Sequence, residues 1–444
     1  MKIVIGGAGE VGSHLAKLLS KEDQDIILID NDAQKLAVLD ANYNLMTMVG
    51  RPTSFETLRE SGVAKCDLFI AVTPYETDNV TACAIAKALG AQKTVARIDN
   101  YEYMRSKNRE FFEKIGVNDT IYPEYLAALE IRTALRHTWV RNWFELHDGQ
   151  LIVVGVKLRH NASIVNMKLR DITFTHHNFH ICAIKRHNHT IIPGGYDEVH
   201  EGDIIYVMTT RQHLDELREM CGKKQTRIRN IMIMGGGKIA ARLSNLVQGE
   251  YNIKILERDA DSCRRLPEHC PGCEIICADA RDNEILLEEG IEDMDAFIAL
   301  TESSETNILA CLTAKEFGVG KTIAEVENIQ FISEAEGLNI GTIINKKLLA
   351  SSKIFQHLLD SDTQSNKCMS LAGAEVAEFD VRDGAKITRG LIKDLKLSKD
   401  MTIAGLIRDG RGMLVSGNTQ IKVGDSVVVF ALSGTLHRIE KLFT

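Results

Sequence analysis

One pattern dominates the sequence: the chain repeats itself at a spacing of 228 residues. Residues 2–12 read KIVIGGAGEVG and residues 230–240 read NIMIMGGGKIA, with glycines at matching places. Residues 58–79 match residues 286–307 at the same spacing. A weaker similarity, at a spacing of 222 residues, follows each copy and includes the Gly-Asp pairs at 202–203 and 424–425. The chain is therefore a tandem duplication of a two-part unit, in the order N1, C1, N2, C2.

Each N part alternates short β-branched runs with helical patterns. In N1 the predicted strands cover residues 3–5, 26–29, 45–49, 68–72 and 94–98. This alternation predicts βαβ crossovers and a parallel Rossmann-like sheet, which places the chain in the α/β class. An apolar stretch over residues 122–143 is predicted to be one helix that leaves N1. The C parts are small and β-rich, so each is predicted to be a compact α+β domain.

A glycine-rich loop follows the first strand of N1. The motif G-x-G-x-x-G over residues 7–12 precedes a predicted helix, and Asp30 ends the next strand 18 residues beyond Gly12. This order, in which a strand is followed by a loop, a helix, a second strand and an acidic residue, is typical of dinucleotide-binding folds. The glycines permit a tight turn and close approach to a pyrophosphate, and the acid accepts a hydrogen bond from a ribose hydroxyl. Because its carboxylate would repel a 2′-phosphate, Asp30 favours NAD over NADP.

N2 carries a second copy of this arrangement. Residues 235–240 read G-x-G-x-x-A, and Glu257 ends the next strand. Arg258 directly follows Glu257, so an additional phosphate is less firmly excluded there. Glu10 and Lys238 occupy matching loop positions: Lys238 would favour a triphosphate if these side chains approach the phosphates, and otherwise both point to solvent. Each copy is predicted to bind a nucleotide, the alternative being a degenerate Rossmann unit kept for packing.

The ends of the remaining strands supply further candidate ligands, because nucleotides bind outside the carboxyl ends of parallel strands. These candidates are Arg51, Thr73, Pro74, Glu76 and Asn79 in N1, with Asp279, Thr301, Glu305 and Asn307 in N2. Arg97 ends the fifth strand of N1, where it could meet a phosphate or pair with an internal acid. Glu325 takes the matching place in N2. This reversal of charge predicts two inequivalent sites.

The charge balance bears on the class of partner. The chain has 53 Lys and Arg against 61 Asp and Glu, a formal net charge of −8, and its basic residues are dispersed. Nucleic acid is therefore not predicted as a partner, since binding phosphate backbones requires a basic stripe. The sequence contains no run of about 18 apolar residues, so no segment is predicted to span a bilayer. The expected location is the cytoplasm, where the ten cysteines are expected to be free thiols.

Two clusters of metal-binding residue types need an interpretation. Cys270 and Cys273 form a C-x-x-C pair with Cys263 and Cys277 nearby, but N1 has no counterpart. A metal or redox role for these thiols and a purely structural role both stay open, and the structural role is favoured. The histidines at 176, 177, 180, 187 and 189 straddle a turn and are interpreted as surface residues. No metal site and no catalytic residue are predicted.

The motifs GAGEVG, AVTPYETDN and VARID, together with the doubled organisation, resemble the TrkA family of Trk potassium-uptake regulatory subunits, the tandem RCK/KTN NAD-binding family. The resemblance spans essentially the whole chain. It implies nucleotide contacts at Gly7, Ala8, Gly9, Glu10, Val11, Asp30, Thr73, Pro74 and Arg97 in the first half. In the second half it implies contacts at Gly235, Gly236, Gly237, Lys238, Ile239, Glu257 and Asp279. Pro74 and Arg51 depart from the polar residues expected at those places.

The resemblance also sets the expected boundaries. These are a Rossmann-like NAD-binding domain N1 at 1–122, a crossover helix at 123–144 and an α+β domain C1 at 145–225. A second Rossmann-like domain N2 follows at 226–346, with a crossover helix at 347–367 and an α+β domain C2 at 368–444. RCK-like units pair through such helices, so the resemblance implies a homo-oligomer, either a dimer or a tetramer.

Three functions are weighed. The first is a regulatory subunit, peripheral on the inner face of the cell membrane, that binds NAD(H), ADP or ATP and gates an integral potassium-translocating subunit of the TrkH type. The second is an NAD-dependent oxidoreductase, which the small duplicated C parts make less suitable because such an enzyme adds a catalytic domain. The third is an assembly scaffold that binds no nucleotide. The prediction is the regulatory subunit, which is not an enzyme.

Overall fold

The computed structural model describes residues 1–444 except 21–23, 176–177, 188, 339, 360–367, 372–373, 396, 433–434, 436–438, 440 and 444. The chain divides into two compact units. One consists of residues 1–127 and 345–358, and the other of residues 128–344 and 359–444. Among the described residues, no helix has the length and apolar character needed to cross a membrane.

N1 is built on a six-stranded parallel sheet. Its strands are β1 (Lys2–Gly6), β2 (Asp25–Asp30), β3 (Met46–Val49), β4 (Leu68–Ala71), β5 (Lys93–Arg97) and β6 (Asp119–Ile121). Its helices are α1 (Glu10–Leu19), α2 (Ala33–Asp40), α3 (Phe55–Glu60), α4 (Glu76–Leu89) and α5 (Ser106–Lys114). The strand order is β3-β2-β1-β4-β5-β6, and all five ladders are parallel. The order reverses between β1 and β4, which opens a crevice at the carboxyl ends of these two strands.

C1 follows helix α6 (Pro123–Arg136) and is built on an antiparallel sheet. Its strands are β7 (Asn142–Leu146), β8 (Leu151–Lys157), β9 (Phe179–Arg186), β10 (His189–Ile191) and β11 (Ile204–Thr209), in the order β10-β9-β11-β8-β7. Helices α7 (Leu169–Thr175) and α8 (Leu214–Met220) complete the domain.

N2 repeats the architecture of N1. Its strands are β12 (Asn230–Met234), β13 (Asn252–Glu257), β14 (Glu274–Cys277), β15 (Ala296–Ala299), β16 (Lys321–Glu325) and β17 (Thr342–Ile344), in the order β14-β13-β12-β15-β16-β17. Its helices are α9 (Lys238–Leu246), α10 (Ala260–His269), α11 (Asn283–Glu288), α12 (Ser304–Glu316) and α13 (Ile329–Gly337).

C2 follows helix α14 (Lys346–Leu359) and repeats the topology of C1. Its strands are β18 (Cys368–Leu371), β19 (Ala374–Asp380), β20 (Met401–Arg408), β21 (Arg411–Leu414) and β22 (Ser426–Leu432), in the order β18-β19-β22-β20-β21. The predicted class, two Rossmann-like α/β domains each followed by a small α+β domain, is confirmed.

Helix α14 packs on N1, although it follows N2 in the chain. Ala350 and Ile354 are fully buried in the N1 core, in the cluster that contains Ile3, Ile5 and Leu15. Burial of such aliphatic side chains stabilises the contact by about 1.5–3 kcal/mol for each large side chain. The helix thereby brings its first turn to the glycine loop of N1.

The two small domains share one core. The cluster that contains Val153 and Met208 of C1 also contains Val376, Val428 and Phe430 of C2. His180 of β9 also forms a polar contact between the two domains: its Nε2 atom lies 3.0 Å from Thr402 Oγ1. The two repeats are thus joined through their C parts within the second unit.

The predicted helix over residues 122–143 is wrong beyond Arg136. Helix α6 ends at Arg136, and Trp143 lies in β7, paired with Val154. Trp143 is buried in the C1 core and stacks on His137, at 3.6 Å between ring centroids. Tertiary packing of this large aromatic side chain overrides the helical spacing of the apolar residues. After the second N part, α14 ends at Leu359, and residues 360–367 of the expected crossover helix lie outside the described residues.

Candidate nucleotide-binding sites

The candidate residues of N1 meet at the carboxyl edge of its sheet. The glycine loop follows β1, and the order of the strands brings the ends of β2, β4 and β5 beside it. Along this edge lie Gly7, Asp30, Arg51, Thr73, Pro74 and Arg97. Arg51 and Pro74 are exposed, whereas Thr73 and Arg97 are partly buried. Residues that are far apart in the sequence therefore line one crevice.

The glycine loop has the close backbone packing that its motif predicts. Gly7 has a φ of +113°, in the region that favours glycine. A Cβ atom on Gly12 would lie 1.9 Å from the Gly7 carbonyl oxygen, so a side chain there is excluded. Gly9 faces open space, with no atom within 4 Å of a hypothetical Cβ. The loop is thus closed against the protein at Gly12 and open toward a ligand at Gly9.

The first turn of α1 is available to an anion. Its N-cap residue, Gly9, offers no side-chain hydrogen bond, whereas Asp32 and Ser54 cap the neighbouring helices α2 and α3. The first backbone N–H groups of a helix lack partners within the helix, and its dipole favours negative charge. Ala8 and Val11 bury their side chains in the core, so only their backbone can face a ligand. These features fit the diphosphate of a dinucleotide.

Asp30 connects the loop to the end of β2. Its carboxylate accepts hydrogen bonds from the backbone N–H of Ala8, at 2.6 Å, and of Asp32, at 2.9 Å. Each carboxylate oxygen retains a further lone pair, so the group can still accept hydrogen bonds from ribose hydroxyls. The residue therefore has a geometric role in the loop besides its predicted role toward the sugar.

A cation that the sequence did not indicate lies at the same loop. Lys347, in the first turn of α14, places Nζ 2.7 Å from Glu10 Oε2. The ammonium is largely buried, with a side-chain exposure of 10%. Glu10 is therefore paired with Lys347, although its side chain also remains 66% exposed to solvent. No local motif could have identified Lys347, because it reaches N1 only through the packing of α14.

We expect Lys347→Gln to weaken NADH binding to N1 by about threefold to tenfold, because Glu10 would then repel the phosphates without compensation. Calorimetric titration measures the change, and Glu10→Gln in the same chain should restore most of the affinity. Lys353→Gln, on the same helix, is the matched control. Equal affinities for wild type and Lys347→Gln would contradict a role for this cation.

The sequence predicts Asn79 as a candidate ligand, but its side chain forms hydrogen bonds within the protein instead. It is fully buried, and its amide nitrogen donates to the carbonyl oxygens of Thr73 and Arg97, at 3.0 and 2.9 Å. Its Oδ1 accepts from the backbone N–H of Thr73 at 2.8 Å. Glu76 likewise accepts from the backbone N–H groups that follow β5. These side chains hold the ends of β4 and β5 together, and Arg97 itself lies 3.8 Å from the Glu124 carboxylate.

N2 forms the equivalent crevice. Gly235 has a φ of +100°, and Glu257 accepts from the backbone N–H groups of Gly236 and Asp259, both at 2.8 Å. Gly237, the N-cap of α9, offers no side-chain hydrogen bond. A cavity of about 560 Å³ lies at this edge and is lined by residues that include Gly235, Gly236, Gly237, Glu257, Arg258, Ser262, Asp279, Arg281, Thr301 and Ser303. Lys238 is exposed at the start of α9, and Ile239 is buried.

The electrostatics of the N2 crevice differ from those of N1. Asp279 accepts from the Arg281 guanidinium, which lowers the pKa of its carboxyl group to about 2. Asn307 repeats the role of Asn79 and bonds the carbonyl oxygens of Thr301 and Glu325, at 2.9 and 2.8 Å. Glu325 is buried at the position of Arg97. Arg281 and Ser262 were not predicted, although the pattern Asp-x-Arg after β14 could have indicated the former.

The four cysteines lie at two places: Cys263 is beside the N2 crevice and interacts with Cys277, whereas Cys270 and Cys273 lie near Ser244. Cys263 Sγ donates to the Glu257 carbonyl oxygen at 3.1 Å, and burial raises the pKa of this thiol to about 12. Burial also raises the pKa of Cys270 and Cys273. Within the part of the chain that the structure describes, no group of three or more His, Cys, Asp or Glu residues is arranged to hold a metal ion. His176 and His177 lie outside the described residues, and His187 and His189 are exposed. The predicted surface position is wrong for His180, which is only partly exposed and contacts Thr402 of C2; burial lowers its pKa to about 4.

The fold and the crevices define a class of protein: a tandem of Rossmann-like domains with dinucleotide-type loops, each followed by a small antiparallel domain. The TrkA-N domain model matches residues 3–123 and 231–346, and the TrkA-C domain model matches residues 153–222 and 376–444. The chain therefore belongs to the TrkA family, with both of its domains present twice.

Relatives of similar length carry this family name. The chain is 29% identical to the Trk system potassium uptake protein TrkA of Haemophilus influenzae, across 100% of this chain and 98% of the relative. It is also 29% identical to the protein of that name from Vibrio alginolyticus, across 98% of this chain and 96% of the relative.

Solved structures share the fold at low identity. The GsuK RCK domain aligns with a TM-score of 0.61 at 14% identity, covering 100% of this chain and 94% of that one. The GsuK channel bound to NAD aligns with a TM-score of 0.60 at 14% identity, covering 100% and 78%. GsuK bound to ADP aligns with a TM-score of 0.51 at 13% identity, covering 81% and 70%.

Proposed function

We propose that this chain is a nucleotide-sensing regulatory subunit that binds NAD(H) in N1 and N2, and ADP or ATP at the same sites. The observation that carries the proposal is the uncapped helix start behind a glycine loop, with a carboxylate at the end of the next strand, in both N parts. The diphosphate would face the first turns of α1 and α9, and the ribose would face Asp30 and Glu257. The NAD and ADP named with the GsuK structures support this assignment.

The two sites differ in ways that suit different ligands. In N1, Lys347 neutralises Glu10 and Arg97 lies at the end of β5. In N2, Lys238 takes the place of Glu10 and Glu325 takes the place of Arg97. A nucleotide shifts a conformational equilibrium only if it binds one arrangement more tightly than the other. If the two sites of one chain differ in their affinities, two nucleotides can shift the same conformational equilibrium by different amounts.

In this proposal, nucleotide binding controls the gating of an integral membrane subunit of the TrkH type, which translocates potassium. The names of the full-length relatives support this part of the proposal, because they place those proteins in potassium uptake systems. The chain would act from the cytoplasmic face of the membrane as a dimer or tetramer. The proposal contains no catalytic step: the nucleotide is a signal that is bound and released.

Co-purification tests the proposed function. The full chain is expressed with the potassium-translocating subunit of its own organism, and the complex is isolated with no nucleotide, with NADH or with ATP. We expect the two chains to purify together and potassium flux to change with the nucleotide. The double variant Asp30→Ala, Glu257→Ala should still co-purify but lose the nucleotide response. Absence of a complex under all three conditions would refute the proposal.

A further inference from the structure

A second kind of cavity lies within the second unit, between C1 and N2, and none of its lining residues belongs to a glycine loop. Its volume is about 380 Å³, which is in the range of small-molecule sites. The walls come from the segment between α6 and β7, the end of β8, the segment after α8, and the edge of N2 near α12 and β16. Nothing in the glycine motifs or in the strand-end pattern points to this place.

The lining of this cavity is cationic. C1 contributes Arg141, Lys157 and Arg159, and the segment after α8 contributes Lys223 and Lys224. N2 adds Lys315 and Lys321, and no Asp or Glu occurs among the described lining residues. Seven cationic side chains thus converge on one cavity in a chain whose net charge is −8. We call the cavity that these seven residues line the basic cavity.

Two acids, Glu336 and Glu130, offset only part of the charge of this cluster. Glu336 forms an ion pair with Lys185, which is not among the seven, and its charge also acts on Arg141 and Lys157, so it offsets part of the positive charge. Lys157 Nζ donates to the Glu336 backbone carbonyl oxygen as well, at 3.1 Å. Glu130 faces Lys321, but burial raises the pKa of its carboxyl group to about 7, so near neutral pH it supplies only part of a charge. Two partly acting carboxylates stand against seven basic side chains, so the surroundings of the cavity keep a net positive charge.

Neighbouring cations also disfavour the charged forms of one another. Burial lowers the pKa of Lys321 to about 7, and the charges of Lys315 and Arg141 contribute to this. Burial and the charge of Arg159 lower the pKa of Lys223 to about 8. Lys321 is held in place: its ammonium donates to Thr342 Oγ1 at 3.0 Å and approaches the Thr138 and Val140 carbonyl oxygens at 3.4 Å. Like charges held together in this way are costly unless a counter-charge binds among them.

We propose that the basic cavity is a binding site for a small anion that carries several phosphate groups in a chain. Lysine ammonium groups bind phosphate as point charges, and Arg141 and Arg159 can donate pairs of hydrogen bonds to phosphate oxygens. A triphosphate chain brings three to four negative charges, and a single orthophosphate would satisfy only part of the cluster. The site is independent of the dinucleotide crevices, because it shares none of their residues. Since C1 and N2 both form its walls, a bound anion would strengthen their contact.

Inorganic tripolyphosphate is the probe for the test. It is titrated by calorimetry into the full chain with NADH saturating, so that the glycine loops are occupied. We expect one tripolyphosphate per chain, with orthophosphate binding at least tenfold more weakly. Lys223→Gln with Lys224→Gln should weaken tripolyphosphate binding at least tenfold, because the change removes two positive charges while glutamine keeps most of the side-chain volume; Lys224 is exposed and Lys223 is partly buried. The control is Lys65→Gln with Lys399→Gln, two exposed lysines elsewhere, which should leave binding unchanged.

A second arm identifies the source of the phosphate chain. ATP is titrated under the same conditions and in competition with tripolyphosphate. Tighter binding of ATP would assign the site to a nucleoside triphosphate, and equal binding would assign it to inorganic polyphosphate; both outcomes support the proposal. Failure of tripolyphosphate to bind at millimolar concentration, or binding that the Lys223 and Lys224 substitutions do not weaken, would overturn it. Because NADH binding is measured separately, failure of the proposed nucleotide function is distinguishable.

Discussion

Asp30→Ala is expected to weaken NADH binding to N1 about thirtyfold. The substitution removes a carboxylate that accepts charge-assisted hydrogen bonds from the ribose, and it leaves the backbone N–H of Ala8 without its 2.6 Å partner. A hydrogen bond to a charged group contributes about 2 kcal/mol, and 1.4 kcal/mol corresponds to tenfold in affinity. Calorimetric titration of NADH into the full chain measures both the affinity and the number of sites.

The second copy supplies the control for this experiment. Glu257 makes the matching contact with Gly236 at 2.8 Å, so Glu257→Ala should weaken only the N2 site. Each single variant should retain one unaltered site, and the double variant should retain none. Asp32→Ala, which removes the cap of α2 but not the ribose acceptor, should cost stability and leave affinity nearly unchanged. Unaltered affinity and site number in Asp30→Ala would show that N1 does not bind NADH at its glycine loop.

Asn79→Ala is expected to destabilise N1 by about 3 kcal/mol. The side chain is fully buried and makes hydrogen bonds that join the end of β4 to the end of β5. Its loss leaves the Thr73 N–H and the Thr73 and Arg97 carbonyl oxygens with unsatisfied hydrogen-bonding capacity in a buried place. Because the chain has several domains, hydrogen exchange of β4 and β5 is the appropriate measurement, and exchange there should become faster.

Asn307 and Asn108 provide two controls for this prediction. Asn307→Ala removes the same bonds in N2, so exchange should become faster in β15 and β16 and stay unchanged in β4 and β5. Asn108 is a partly buried residue of α5 whose side chain donates to the Glu102 carbonyl oxygen and to neither sheet, so Asn108→Ala should have little effect on either sheet. Unchanged exchange in β4 and β5 of Asn79→Ala would contradict the role assigned to this side chain.

Much of the fold could be predicted because it is encoded locally and twice. The five strands predicted for N1 correspond to β1 through β5, since each is a short run of β-branched and aliphatic residues bounded by a turn. The glycine loop and Asp30 could be predicted for the same reason: they lie within one βαβ unit, whose geometry the spacing specifies. The duplication strengthened the prediction of both loops, because a weak motif that occurs twice in the same context is more specific than one that occurs once.

Side-chain roles were harder to predict than positions. Asn79 and Asn307 follow their strands at the places where ligands bind, and this position made them candidates. The structure shows that their polar atoms bond the neighbouring strand. The α6 prediction failed in a similar way, because the apolar spacing continues to Trp143 while that residue packs in C1. In both cases the deciding partner belongs to another element.

The sequence by itself determined the tandem architecture, the strands of each Rossmann-like sheet and the two loops with their carboxylates. Only the tertiary structure decided that Lys347 reaches the N1 loop, that C1 and C2 share a core, and that seven cations form the basic cavity. The physical reason is the range of the interactions. Backbone geometry follows from residues a few positions apart, whereas charge clusters and shared cores form from segments that are brought together only when the chain folds.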